Sequence, residues 1–514
     1  MHQGPAQIYR SARPVHVAGA KLGFVFETSC IMVQRTDIIL RPDPSRVLIR
    51  YFSPGSSNRI ERLISRVLTL DQTKIPERLE RVCSHFASRH DDLEAVFLRH
   101  YGAVAPHMVT DSTPSHEQQL LIGAYFTSEF ALESAALFNP SMVPHPDQSG
   151  LENGRMRFIM SLRATGEGHV SSLVFREGTV DRQGSISIPP AGPLVTGPEV
   201  VRNPSYQSDT FGAKLFEMGY DNDTTADILG HLDAEFSLDD LKTQLARHRT
   251  AIRRKTADRE DTLKIMLALA EQQYEIRFSE NHPLSERVIF PRMDHHRKGI
   301  EDARFVRFEE DNGDINYYAT YTAYDGSSFL PQLLQTPDFL NFKFITMNGA
   351  GVINKGMALF PRKINGHYAM LSRQDGENIY IMFSDHLHFW QESKVLMRPT
   401  SSWEYVQLGN CGSPIETPQG WLVLTHGVGP MRRYCIGAVL LDLDNPEKII
   451  GRLRAPLLEP DENERDGYVP NVVYTCGAMA HGKWLIMPYA MSDYASRIAL
   501  VDLEELLQKL VGST

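Results

Sequence analysis

The sequence predicts a mainly β fold, a five-bladed β-propeller carrying an α-helical N-terminal extension and an α-helical insertion between blades one and two. Three observations predict it. Five β-prone segments share one pattern, an aromatic residue followed by apolar strand formers. They are 158–163, 318–323, 368–373, 421–426 and 484–489, opening on Phe158, Tyr318, Tyr368, Trp421 and Trp484. The last four starts lie about 50, 53 and 63 residues apart, the period of a four-stranded blade. The first gap is longer by about 100 residues, and a block of helical period fills it.

Residues 1–29 carry no clear signal, and two β-rich runs follow, 31–40 and 46–52, divided by Pro42 and Pro44. From 58 to about 101 the period is helical: Ile60, Leu63, Ile64, Val67 and Leu68 recur at three- and four-residue steps, as do Leu79, Val82, Cys83 and Phe86. Residues 116–137 also read as helix. A second helical block covers about 209–275, with Ser237 and Asp240 in a capping-box pattern before an amphipathic run. Its basic string, 247–259, alternates with acids and reads as a solvated helix face ahead of the apolar helix 263–269. The expected division is 1–117 as an N-terminal extension, β-rich then helical, and 118–514 as the propeller with its insertion.

Composition narrows the function. At 514 residues the chain exceeds one ordinary core. Its 42% apolar and 23% charged content is ordinary globular composition. Lys and Arg number 53 against 63 Asp and Glu; a net charge of −10 with no basic block argues against a nucleic-acid partner. With no run of about 18 apolar residues and no apolar stretch behind a basic start, neither a membrane span nor a secretory signal is expected. Five scattered cysteines without zinc spacing suit reduced thiols and a cytoplasmic setting.

The chain turns on Gly299, Ile300, Glu301, Asp302, Ala303 and Arg304. Strand neighbours point to opposite faces, so Glu301 and Asp302 should take different roles. One should face a cavity and the other be held by a partner such as Arg304; a salt-bridged turn is the plain alternative. A short strand with a polar or glycine-rich start precedes each aromatic one: 139–143, 302–306, 354–360, 411–415 and 471–475. Innermost strands line a propeller's channel. Closure should therefore bring Asn139, Asp302, Asn354 with Lys355, Ser413 and Asn471 towards one axis. The aromatic strands end on Arg163, Ala323, Arg373, His426 and Tyr489, and four polar residues at that repeat position argue for a site. One carboxylic acid, Asp302, would then sit among Lys355, Arg373, His426 and Arg163. Such donors match an oxyanion such as phosphate. One acid and a bound anion are what phosphorolysis of a glycoside needs, whereas inverting hydrolysis needs a second carboxylate about 6.5–9.5 Å away to activate water. No Walker-type phosphate loop is present, which disfavours nucleotide hydrolysis.

The ordered motifs GIEDARFVRF, YYATYTAYDG, NKGMALFPRKINGHYAMLSRQDGE, GNCGSPIETPQGWLVLTHGVG, LLDLDNP and ERDGYVPNVVYTCGA, with Trp390, resemble glycoside hydrolase family 130. The resemblance covers roughly 118–514, excluding about 185–280. It implies a five-bladed propeller and an inverting β-mannoside phosphorylase of the glycosyltransferase EC 2.4.1 class. Such an enzyme cleaves β-manno-oligosaccharides with inorganic phosphate, reversibly, to α-mannose 1-phosphate, using phosphate as co-substrate and no cofactor or metal. The family's Gly-x-Glu-Asp-Pro-Arg motif is here Gly299 to Arg304, with Ala303 in place of proline. By that match Asp302 is the general acid, its proton relayed through a sugar hydroxyl. Asn354, Lys355, Arg373 and His426 are the implied phosphate ligands, and Asn139, Arg163, Arg304 and Asp493 the implied sugar-binding set. Hydrolytic relatives lack part of the cationic set, which this sequence keeps. The alternatives are a β-mannoside hydrolase on the same propeller and a non-catalytic carbohydrate-binding propeller. The insertion is expected at the acceptor end of the funnel or in a homo-oligomer contact.

Overall fold

The computed structural model describes residues 31–108, 113–201, 205–251, 257–272, 274–292 and 296–512. Residues 1–29, Cys30 and the middle of the basic string, 252–256, lie outside the described residues. The fold is mainly β, and its strands run as five successive antiparallel meanders. The first holds Ala136–Pro144, Met156–Thr165 and Ser171–Val180, edged by Ile186–Ser187 and Val288–Ile289. The second is Gly299–Glu309, Ile315–Tyr324, Phe329–Thr336 and Asn341–Thr346. Lys355–Leu359, Tyr368–Arg373, Ile379–Ser384 and Lys394–Met397 form the third. The fourth has a broken first strand, Gln407–Asn410 and Ile415–Thr417, then Gly420–Val428, Tyr434–Leu441 and Ile449–Arg452. The fifth also starts broken, Val473–Tyr474 and Met479–His481, before Trp484–Met491 and Ala495–Asp502. Its outermost strand is Val33–Leu40, from the N-terminal region. All five aromatic-led segments fall on second strands.

Apolar faces pack between successive meanders, because a sheet with two apolar faces needs a neighbour on each. Phe175 meets Phe305, Phe308 meets Trp390, Leu371 meets Trp421, and Leu424 meets Leu485 in shared cores. Phe158 and Leu162 of the first share a core with Trp484 and Ile486 of the fifth. Hydrogen bonds follow the same order. Ser141 accepts from the Phe305 amide at 3.0 Å, Thr320 donates to the Met357 carbonyl, and Asn410 donates to the Gly356 carbonyl at 2.8 Å. The Tyr434 amide donates to Asn471 at 3.0 Å, and the Cys476 amide donates to Pro140 at 2.8 Å, linking fifth to first.

Among the described residues, four α-helices precede the meanders: Ser57–Leu68, Ile75–Phe86, Leu93–Val104 and His116–Tyr125. The expected helix 116–137 is too long. After Tyr125 the chain forms the strand Thr127–Ala131, paired with Val47–Tyr51, and then begins the first meander. An apolar run suits either period, and here the waiting strand partner decides. Between the first and second meanders lie the helices Ser208–Glu217, Asp223–Leu229, Leu238–Ala251 and Ala257–Gln272. Ser237 and Asp240 exchange side-chain-to-amide bonds as their spacing predicts. The basic string is only partly solvated. Arg247 and Arg249 are exposed, but Arg259 is buried and donates to His248 at 3.1 Å, because its helix turns that face onto Leu238–Ala251. This helical block sits at the outer edge of the second meander. Tyr274–Arg277 pairs with Asn341–Thr346 and carries Glu199–Val201 beyond it, and buried Lys214 donates to the Thr346 carbonyl at 2.8 Å. No helix among the described residues is long and apolar enough to cross a membrane.

Candidate active site

Each of the first three meanders carries an irregularity at the same place on its first strand. Pairing slips between Phe138 and Ser141, between Glu301 and Arg304, and between Lys355 and Ala358. Such a bulge adds a residue and re-aims side chains. Asn139, Asp302 and Gly356 take left-handed backbone inside these breaks, with φ of 50°, 55° and 89°, a region Gly adopts freely and Asn and Asp tolerate better than most residues; Asn354, also left-handed at 62°, lies just before the third break. The bulge overturns the expected alternation. Glu301 and Asp302 do not face opposite ways: Arg163 donates to both, to Glu301 Oε1 at 2.7 Å and to Asp302 Oδ1 at 3.2 Å.

Around that pair runs a continuous polar line drawn from four meanders. Asn139 Nδ2 donates to Asp302 Oδ1 at 2.7 Å. Lys355 Nζ lies 3.1 Å from Glu301 Oε2 and 3.7 Å above the Phe329 ring. Lys355 and Arg373 are cross-strand partners, and Arg373 Nη1 lies 3.0 Å from His426 Nε2. Asn139 Oδ1 and Arg373 Nε are buried without a hydrogen-bond partner among the described residues. Asn354 is exposed at the start of its strand and donates to the Gln374 carbonyl at 3.3 Å.

The charges decide protonation. Burial alone would raise the Asp302 carboxyl, but Arg163, Lys355 and Arg304, with the Asn139 amide, outweigh it and hold the group at about 2. Asp302 is therefore ionised in the free protein. Asp493 lies in the turn after Trp484–Met491, and burial followed by the Asp302 charge pushes its carboxyl up to about 6 against the pull of Arg163 and Arg432. Burial, with Arg373 and Arg304, drives the His426 imidazole well below its ordinary value, so it is neutral.

Other expected residues fall elsewhere. Arg304 does not pair with either carboxylate. It donates to the Cys411 carbonyl and the Tyr474 hydroxyl, both at 2.7 Å, and to the Asp302 main-chain oxygen at 3.2 Å, tying three meanders together. Ser413 lines a cavity of about 340 Å³ at the far ends of the first strands, with Arg307, Pro361 and Met479. The Asn471 side chain accepts from Arg465 at 2.9 Å. Ala323 is core, and Tyr489 donates to buried Glu464 in a separate cluster with Arg35 and Arg497. Register explains Tyr489. Arg163 and Arg373 each lie opposite the residue before a break, whereas in the fifth meander that place belongs to Ala490. A one-residue offset turns a side chain to the other face. Sequence reasoning passed over Gln407, whose amide lies 3.2 Å from His426 Nε2, and Phe329. A polar residue two places before the Gly-Asn of the fourth first strand was the available signal for Gln407.

A family model described as β-1,4-mannooligosaccharide phosphorylase, glycoside hydrolase family 130, matches residues 252–511. The match takes in the second to fourth meanders and the fifth apart from Val33–Leu40, and begins after the strand Ser171–Val180 of the first. A 1,2-β-oligomannan phosphorylase of Thermoanaerobacter sp. (strain X514) is 34% identical over 232 residues, 43% of this chain and 75% of that protein. A β-1,2-mannobiose phosphorylase of Listeria innocua is 32% identical over 230 residues, 43% of this chain and 63% of the relative. Among solved structures, a Listeria innocua β-1,2-mannobiose phosphorylase in complex with β-1,2-mannobiose aligns at TM-score 0.44 and 24% identity, over 74% of this chain and 93% of that one. A match to half the chain, together with a relative covered over three quarters of its length, places this protein in glycoside hydrolase family 130.

Proposed function

We propose that this protein is an inverting β-mannoside phosphorylase, converting a β-mannoside and phosphate reversibly to α-mannose 1-phosphate and a shortened acceptor. One observation carries the reading. Both oxygens of Glu301 are engaged, by Arg163 and Lys355, so Asp302 is left as the acid beside a cationic flank of Lys355 and Arg373. Preorganised cations of this kind hold an anionic nucleophile in line with the anomeric carbon. A phosphate dianion on that flank offsets the charges that keep Asp302 ionised, and its proton affinity rises as the ternary complex forms. Asp302 then protonates the leaving oxygen through a sugar hydroxyl, and phosphate attacks from the opposite face. The family model and the relatives are named for 1,4- and 1,2-linked mannosides, and what those names share is the β-mannosyl donor.

The same reading takes the five meanders as blades of a propeller, with the 2.8 Å Cys476–Pro140 bond and the Phe158–Trp484 core supporting closure of the fifth on the first. In the hydrolase alternative Asp493, carrying a carboxyl at about 6, is the available base. Measuring mannose 1-phosphate against phosphate concentration at fixed β-mannoside separates the two. Phosphorolysis should vanish without phosphate, and Arg373→Lys and Lys355→Ala should raise the phosphate KM far more than they change mannoside affinity. Equal mannoside cleavage with no phosphate present would hand the protein to the hydrolase reading.

A further inference from the structure

Glu464 is a fully buried carboxylate in the loop between the fourth and fifth meanders, at the end of the short turn Glu462–Glu464. A buried charge needs partners, and here they come from three segments. Arg35 forks onto it from the N-terminal strand, Nε to Oε1 at 3.1 Å and Nη2 to Oε2 at 3.2 Å. The Tyr489 hydroxyl donates to Oε1, and Arg497 Nη1 lies 3.5 Å from it. The Asp461 amide donates to Oε2 at 3.2 Å. Arg35 does more than closing a sheet requires. Its Nη2 also donates to the Glu459 carbonyl at 2.6 Å, and the ladder to Ala495–Asp502 is interrupted between Arg35 and Ile39. The same loop grips the turn that carries Asp493. Ser492 Oγ donates to the Glu464 carbonyl at 2.7 Å and the Ser492 amide to the Val472 carbonyl at 2.8 Å, while the Val469 amide donates to the Ser492 carbonyl at 3.0 Å. At Gly467 a Cβ would come within 2.5 Å of that carbonyl oxygen. Ser492 and Asp493 both take left-handed backbone, with φ of 48° and 50°, which such residues hold where their surroundings over-determine it. Asp493, implied by the family motifs to bind the sugar, feels the charges of Asp302, Arg163 and Arg432.

We propose, building on the phosphorylase reading, that Arg35 and Glu464 are positioning residues for Asp493: the N-terminal strand, besides completing the fifth meander, fixes through Glu464 the loop that holds the Ser492–Asp493 turn on the sugar side of the site. Neither residue touches substrate. Arg35 lies outside the residues matched by the family model, 252–511, so the N-terminal region supplies a support that the matched region does not contain.

Calorimetric titration with two probes tests the proposal. Mannose 1-phosphate needs the sugar side of the site, and inorganic phosphate does not. Arg35→Met should weaken mannose 1-phosphate about tenfold through displacement of a positioned group, and change inorganic phosphate by less than about twofold. Arg35→Lys keeps a charge on Glu464 and should recover part of the loss. Ser492→Ala cuts the link at its far end, should give the same selective loss, and stands in if Arg35→Met does not fold. In the Asp493→Asn background either change should add less than about twofold, because the group it positions is gone. Unchanged mannose 1-phosphate affinity in the folded variant, equal weakening of both probes, or effects that multiply with Asp493→Asn would each overturn the proposal. Melting without ligand separates it from the phosphorylase reading. Asp493→Asn should raise the melting temperature at pH 8, and that gain should shrink by about half or more in the Arg35→Met or Ser492→Ala background, where the freed turn lets the carboxyl reach water. Equal gains in both backgrounds would remove Arg35 and Glu464 from the assignment. A wild type that binds neither probe would sink the phosphorylase reading and leave the melting cycle to decide this one.

Discussion

Asp302 and Asp493 are two carboxyls in one cluster pushed in opposite directions, and each direction has a measurable consequence. Asp302→Asn keeps the shape and the Asn139 and Arg163 neighbours but removes the proton donor. Turnover should fall roughly 10²–10⁴-fold with the fold intact, as shown by phosphorolysis rates beside a melting curve. A wild-type rate would move the acid role to Glu301, which the geometry instead commits to Arg163 and Lys355. Asp493 works the other way. Its folded value of about 6 lies above the ordinary 3.8, so between these pH values the folded state binds more protons than the unfolded chain. Stability from this group is therefore full below about pH 3.8 and is lost as pH rises through 6. Asp493→Asn should raise the unfolding free energy at pH 8 by at most about 3 kcal/mol and leave it unchanged at the lowest pH where the protein stays folded. Equal melting shifts at both ends of the pH range would show that the carboxyl is not held up.

At the scale of elements, Lys214 fastens the helix Ser208–Glu217 to the end of the strand Asn341–Thr346. Burial lowers its amine to about 7 from 10.5, so over that range the folded state binds fewer protons and stability rises with pH. Lys214→Ala lacks this gain and leaves the Thr346 carbonyl without its donor. It should destabilise more at pH 9 than at pH 6.5, and melting curves at both values check the sign. The elements themselves were unevenly legible. The five second strands could be read because an aromatic start and a blade-length period survive in the sequence. The bulges could not, since an extra residue in a strand leaves no periodic mark, and the alternation argument at Glu301 and Asp302 failed for that reason. What marks them is an Asn, Asp or Gly at a left-handed position, as at Asn139, Asp302 and Gly356. Tyr489 was aligned with Arg373 by counting from the aromatic residue, whereas cross-strand register is what sets the facing side.

At the scale of the whole molecule, the fifth meander is completed by Val33–Leu40, which pairs Val33 with Val501 and Leu40 with Ser496. A chain beginning at residue 43 should expose Ala495–Asp502 as an unpaired edge and self-associate, since open edges template further pairing. Light scattering of that truncated protein tests it, and a soluble monomer melting at the wild-type temperature would contradict it. The same pairing also imposes a delay. Ribosomes add about 5–20 residues per second, so a strand made first waits roughly 25–90 s for a partner about 470 residues downstream. Through that interval it is a nascent β-segment with nothing to join, and Arg35 and Asp37 within it are the charges that keep it from joining another copy. Completion of the fifth meander thus waits until Ala495–Asp502 has been made, and conditions that slow elongation should lower the yield of folded protein even where its equilibrium stability is unchanged.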